Sequence, residues 1–420
     1  MTGRHAMRSV VGARTAVAVA ATVGVVAAGV VAGGVGAGQA TAVDKVRLAA
    51  DVPVAPGIGY RAFSVTGSHG VVSGHLVTAD LTNRRVSVDL LTPGTVSSRV
   101  PLSQMVAAQG AVAGVNADFF NIEESQHVGV APTNSAVGPA VAHGEALKAA
   151  VPDGQRFGPG LPPGTSTRDV IGVGYDKRAR LDELTLKGSV RTRSSAFDLG
   201  GFNQYAVPEG GVGAFTPKWG DVSRQRAVCG TDTVRAAACS TDAYEVTVRN
   251  GRVVSGSATI GAGAIAEGSV VLVGREAGAD RLRALRTGEK VTVVDRLTST
   301  SGKRFEFAVG GFPVLRDGEP LPGLDTKAAA TRTAAGIGDR GRLLYLLVLD
   351  GSAESGAGLT VAEVADVLDT VGADAGVNLD GGGSSTLVTR DPATGAPVVR
   401  NHPTGGAERP VPEGIGLFSR

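Results

Sequence analysis

Residues 342–386 read RLLYLLVLDGSAESGAGLTVAEVADVLDTVGADAGVNLDGGGSST, and the fold is decided here. Two continuous apolar runs, LLYLLVL (343–349) and AGVNL (375–379), suit strands covered on both faces. Between them Thr360-Val361-Ala362-Glu363 has the form of a capping box, the Thr side chain accepting from the Glu amide and the Glu side chain from the Thr amide. Val361, Val364, Leu368 and Val371 then recur at helical spacing, and Gly372 stands where a left-handed cap ends a helix. A strand, a short helix and a second strand make a crossover, which predicts parallel strands and a right-handed connection. Each strand ends in Leu-Asp-Gly, at 349–351 and 379–381, so Asp350 and Asp380 are expected at one edge of a sheet.

Outward from this unit the chain is rich in short strands. VSVDLL (86–91) alternates as a half-buried strand does, and YEVTVRNGRVV (244–254) reads as a hairpin turning at Asn250-Gly251. Ser103 is expected to cap a short helix over 104–109 ended by Gly110. The apolar AVAGV (111–115) then delivers Asn116, Asp118 and the Phe119-Phe120 pair. Residues 151–168, rich in Pro, Gly, Ser and Thr, read as a loop. The expected fold class is α+β, mixed β-sheets with few helices and one strand-helix-strand crossover near the C-terminus. We expect a signal segment at 1–42, a variable leader at 43–59, and one domain at 60–420 with a loop-rich insertion around 151–243.

Arg4, Arg8 and Arg14 precede an Ala/Val/Gly run, and Ala40-Thr41-Ala42 supplies a small-residue cleavage pattern, the form of an export signal. The run is long, so retention as an anchor stays open; no membrane span is expected after cleavage, and the product is secreted or held at the cell envelope. Without residues 1–42 the 41 basic and 39 acidic groups become 38 and 39, a balance that excludes nucleic acid as a partner. Cys229 and Cys239 are the only cysteines, and in an exported chain they are expected to form a disulfide.

The glycines of NLDGGGSST lose more backbone entropy on folding than other residues, so they belong where positive φ or bare backbone is used. Gly381, Gly382 and Gly383 with Ser384 and Ser385 form a candidate amide nest for an anion, against the plain reading of a flexible turn. No Lys follows, which excludes a Walker loop, and no glycine spacing makes a nucleophile elbow. Asp before Gly is also ordinary turn chemistry, so Asp118, Asp350 and Asp380 gain weight only as a set. Arg332, in the small-residue stretch TRTAAGIG, is a candidate phosphate ligand or an ordinary surface cation. His402 and Arg409 flank NHPTGGAERP as further candidates, and Asn116 and Asn378 each follow a Gly-Val strand end. The six histidines show no metal-ligand spacing, and neither metal nor cofactor is expected.

These blocks resemble the phosphodiester glycosidase family. The match rests on GVNADFFN (114–121), VGGFPVLRDG (309–318), RTAAGIGDRGRLLYLLVLDG (332–351), the stretch 358–388 and NHPTGGAERPV (401–411). Where many members read Asn-Gly-Gly-Phe-Phe, this chain has Asn116-Ala117-Asp118-Phe119-Phe120, an added carboxylate beside the site. The resemblance implies hydrolysis of a sugar joined through its anomeric carbon to a phosphodiester, releasing free sugar and a phosphate monoester. Its substrate would be a sugar-1-phosphodiester or an envelope glycopolymer. On that reading Arg332 and the Gly381–Ser385 amides and hydroxyls grip phosphate, Asp380 or Asp350 faces the anomeric carbon, Asp118 assists, and Asn116 and Asn378 orient the sugar or the acids. Two rivals remain from the residues alone: a metal-dependent phosphodiesterase built on the three Asp residues, and a non-catalytic polysaccharide-binding protein.

Overall fold

The apolar run Leu343–Leu349 is a strand in the computed structural model, flanked on both sides by antiparallel neighbours, Gly70–Asp80 and Thr333–Gly338. Ala375–Leu379 pairs with the far side of Thr333–Gly338, also antiparallel. The two Leu-Asp-Gly strands therefore run in the same direction, as the crossover predicts, but they are not neighbours. They belong to a nine-stranded sheet in the order 44–48, 58–67, 70–80, 343–349, 333–338, 375–379, 312–316, 319–320, with 52–55 added on 58–67. A five-stranded sheet (397–399, 387–390, 113–116, 414–419, 86–91) and a seven-stranded sheet carrying 169–174, 305–310 and 140–142 complete the main core. Val348, Val377, Val115, Ile415, Ile171 and Phe307, drawn from all three sheets, share that core.

The other face of the large sheet is closed by the helix Val361–Thr370. Its capping box is present: Glu363 N donates to Thr360 Oγ1 at 3.2 Å and Thr360 N to Glu363 Oε2 at 2.8 Å. Ser68 N donates to the second Glu363 oxygen at 2.5 Å, tying the helix start to the hairpin between 58–67 and 70–80. Val364, Val367 and Leu368 cover Leu347, Leu349 and Leu76, each burial contributing about 1.5–3 kcal/mol. Gly372 has φ +96°, the left-handed value its position after the helix requires.

The structure describes residues 44–351 and 357–420; the expected signal at 1–42 lies outside them. Among the described residues there are three α-helices, and none is long and apolar enough to cross a membrane. The fold is thus mixed β-sheet with few helices. The hairpin 243–257 turns at Asn250 and Gly251, both at positive φ.

Several local readings change. The helix near 104–109 spans Leu102–Gln109 and is preceded by Pro101, which has no N–H to satisfy; Ser103 does not cap it but donates its amide to Glu408 at 3.0 Å. The leader holds strands Asp44–Leu48 and Val52–Ala55, both on 58–67. The segment 151–243 carries Asp169–Gly174 and the thirteen-residue strand Ala179–Arg191, whose charges hide its alternation. Cys229 and Cys239 form the disulfide, closing a short loop within that segment.

Candidate active site

Register places both acidic loops on one rim. Thr333 pairs with Val348 on one side and with Leu379 on the other, so Asp350 and Asp380 leave the sheet at the same end with one strand between them. Two strand spacings separate their backbones by about 10 Å. Thr331 bridges the gap: its carbonyl accepts from Gly382 N at 2.8 Å, and its hydroxyl lies 3.5 Å from Asp350 O and 3.4 Å from the Thr404 hydroxyl. The C-terminal loop joins in, since Gly351 N donates to His402 O at 2.7 Å.

The two acids sit in different electrostatic surroundings. Burial is the largest influence on Asp380 and pushes its carboxyl up to about 7, assisted by the nearby charge of Asp118; Ser384, Arg409 and the Gly381 amide oppose it. Burial also raises Asp350, but hydrogen bonds from His75 and the His402 amide outweigh it and hold this carboxyl below the usual carboxylate range. Asp350 Oδ1 accepts from His75 Nε2 at 3.0 Å and from His402 N at 2.8 Å. The carboxyl whose charge helps to raise Asp380 is that of Asp118. Asp118 is buried and accepts from Gly138 N at 2.5 Å and Phe119 N at 2.8 Å, and burial raises it to about 6. Behind it Lys148 and Glu413 are both buried, Lys148 pushed down and Glu413 up by desolvation.

The glycine run is tighter than an open nest. Gly382 has φ +59°, a Cβ on Gly381 would stand 2.5 Å from Thr331 O, and one on Gly383 would strike the Arg409 guanidinium. The amides of Gly382, Ser384 and Ser385 donate to Thr331 O, Gly381 O and Gly382 O, so they are not free to hold an anion, a correction to the nest reading. Ser385 Oγ accepts from Thr333, while Ser384 Oγ receives Arg409 Nη1 at 3.3 Å. Arg409 is thus the cation at the cradle.

Arg332 is displaced from its expected role. Its Nε donates to Leu359 O at 2.9 Å and its Nη2 to Ala328 O at 2.6 Å, binding two backbone segments together. Asn116 is likewise a clamp: Nδ2 donates to Asp380 O at 2.6 Å, and Oδ1 accepts from Thr333 Oγ1 at 2.9 Å and Thr386 N at 3.0 Å. Asn378 is fully buried and, among the described residues, neither of its amide atoms has a hydrogen-bond partner. The structure gives it no polar contact that accounts for its choice. His402 is largely exposed and reaches Asp350 through its backbone, with Nδ1 at 3.7 Å.

Tyr60, His75, Thr331, Lys148 and Glu413 escaped the sequence reading. His75 carried one signal: a polar residue at a core-facing position of the strand GVVSGHLVTAD. Asp118, Asp350 and Asp380 do not meet the spacing of a metal-ligand group. Among the described residues the group that does is His127, Cys229 and Cys239, whose sulfurs are joined in the disulfide.

Residues 242–418 match the model of the family described as phosphodiester glycosidase. This part of the chain is similar to the phosphodiester glycosidase family. Asp350, Asp380, the glycine run, His402 and Arg409 lie inside the matched region; Tyr60, His75, Asn116, Asp118 and Lys148 precede it. No curated protein matches the chain. Among solved structures, a Synechocystis protein of unassigned function aligns at 20% identity and TM-score 0.68 over 88% of this chain and 63% of that one. This chain therefore spans under two thirds of that relative. A Burkholderia pseudomallei protein assigned as exported aligns at 22% identity and TM-score 0.63, covering 83% and 74%. At these identities the likeness is one of fold. The zebrafish N-acetylglucosamine-1-phosphodiester alpha-N-acetylglucosaminidase catalytic domain, auto-inhibited by its pro-peptide, aligns at 14% identity and TM-score 0.44, covering 90% and 89%, and carries no argument.

Proposed function

We propose that the protein is an exported hydrolase that cleaves the anomeric bond of a sugar-1-phosphodiester, yielding free sugar and a phosphate monoester. The observation that carries this reading is two acids on one sheet rim in opposite surroundings, Asp380 near the Arg409 cation and Asp350 held by hydrogen bonds from His75 and the His402 amide. A neutral Asp380 does not repel an anionic phosphodiester; it donates a hydrogen bond to it, beside the positive Arg409. As the glycosidic carbon–oxygen bond breaks, Asp380 supplies its proton to the departing phosphate oxygen, and water bonds to the anomeric carbon and loses one proton, which balances the one Asp380 gave. The ionised Asp350 faces the positive charge that develops on the sugar. A phosphate leaves more readily than an alkoxide, so holding the anion and steadying that charge are the heavier tasks. The substrate class we assign is a glycosyl phosphodiester of the cell envelope, in keeping with the export signal read from residues 1–42.

The charge split fixes a pH dependence. Asp380 is raised to about 7, so it is protonated below that value and ionised above it. If it acts as the acid, kcat falls as pH rises through about 7. Asp350 lies below the usual carboxylate range, so the acidic limb of the profile lies there too. A kcat that rises steadily through neutrality to alkaline pH contradicts the assignment.

Incubation with a panel of sugar-1-phosphodiesters, with and without chelator, tests the reading. Free reducing sugar in both arms supports it. Sugar phosphate formed only without chelator supports the metal-dependent phosphodiesterase, and saturable binding with no product supports a binding protein.

A further inference from the structure

The chemistry above requires Asp350 to be ionised and to offer one oxygen to the sugar, and the Leu-Asp-Gly loop secures neither by itself. The donors around this carboxyl all fall on Oδ1: His75 Nε2 at 3.0 Å, His402 N at 2.8 Å, and His402 Nδ1 further off at 3.7 Å. Among the described residues Oδ2 accepts no hydrogen bond. His75 is held at its other ring nitrogen, where Tyr60 Oη lies 2.7 Å from Nδ1, and the two rings are near parallel, 13° apart with centroids at 5.9 Å. Register explains the line-up. His75 is opposite Val348, two residues before Asp350, and Tyr60 is opposite Val77, two residues after His75. Alternation thus sets all three side chains on one face of three adjacent strands. Tyr60 is covered by Arg400, whose guanidinium lies 5.2 Å from the ring centre.

We propose that Tyr60 and His75 are positioning residues for Asp350, a wire that fixes which of its oxygens works and keeps it charged. The inference rests on the reading that Asp350 is the acid facing the sugar. A neutral imidazole has one N–H, and burial raises the Tyr60 phenol above its ordinary value, so it is a donor at neutral pH. Tyr60 therefore donates to Nδ1, which leaves the imidazole proton on Nε2, directed at Asp350 Oδ1. With Oδ1 held by two donors, Oδ2 is the oxygen left for the sugar. The charged or titratable groups facing this line are His402 beside Asp350 and Arg400 over Tyr60.

The test combines kinetics with a measurement that does not need turnover. His75→Leu is expected to lower kcat about 10- to 100-fold with KM little changed, and to move the acidic limb of the kcat profile upward because Asp350 loses a donor. His75→Gln, which retains an N–H, recovers part of the loss, and Tyr60→Phe gives a smaller loss of the same kind. In parallel, 15N NMR of imidazole-labelled wild type is expected to show His75 protonated on Nε2 alone at neutral pH, and Tyr60→Phe to lose that fixed pattern. A wild-type His75 protonated on Nδ1 alone overturns the proposal, as does a His75→Leu enzyme with a lowered melting temperature but an unmoved acidic limb. If wild type turns over no sugar-1-phosphodiester, the functional reading fails, and the NMR result still decides whether Tyr60 sets the His75 tautomer.

Discussion

Asp380→Asn is expected to lower kcat by about 10²- to 10⁴-fold, the range for loss of a positioned proton donor, while the unfolding midpoint stays near wild type. The substitution is isosteric and removes the proton without adding charge. Asp380 is itself neutral below about 7, so Asn resembles the form the fold already holds. The amide oxygen still accepts from Ser384 and Gly381, and the backbone contacts, Asp380 N to Ala117 O at 2.8 Å and Asn116 Nδ2 to Asp380 O at 2.6 Å, are untouched. Product formation and a melting curve on one preparation separate the two effects. Near-normal turnover refutes the acid assignment.

The largest stability effect is expected at Arg226→Met, about 3–5 kcal/mol. Arg226 is fully buried; its Nε donates to Glu124 Oε2 at 2.6 Å, Nη1 to Cys229 O at 3.0 Å and Nη2 to Gln155 Oε1 at 2.8 Å. Methionine matches much of the volume and none of the charge. Glu124 would remain a buried carboxylate with only Asn121 and His127 beside it. The double variant with Glu124→Gln should recover much of the loss, because breaking a buried pair costs more than replacing it. Urea denaturation measures both; a loss under about 1 kcal/mol for the single variant would mean that the site relaxes or admits water.

The C-terminal crossover was legible because its signals are local: a capping box, helical spacing and two apolar runs ending in Leu-Asp-Gly. That both acids share a rim follows from direction alone. What local signals do not carry is the strand between them, Thr333–Gly338, or which face each side chain takes, since a shift of one residue reverses a strand's faces. Arg332 illustrates this: one position before Thr333, it turns away from Asn116 and binds backbone instead. His75 meets Asp350 across 275 residues, and Lys148 feels Glu413, a residue far along the chain, contacts that composition and spacing do not encode. The glycine run lies on the rim with both acids, but its conformational freedom serves packing. Its glycines are needed to pack against Thr331 and Arg409 rather than to expose amides.

Hydrolysis of a sugar-1-phosphodiester in 18O-labelled water tests the central claim most directly, because the label records which bond water attacks. Cleavage at the anomeric carbon puts 18O in the free sugar and leaves the phosphate monoester unlabelled, the result expected here. Label on phosphorus, with the sugar released as its phosphate, would contradict the account.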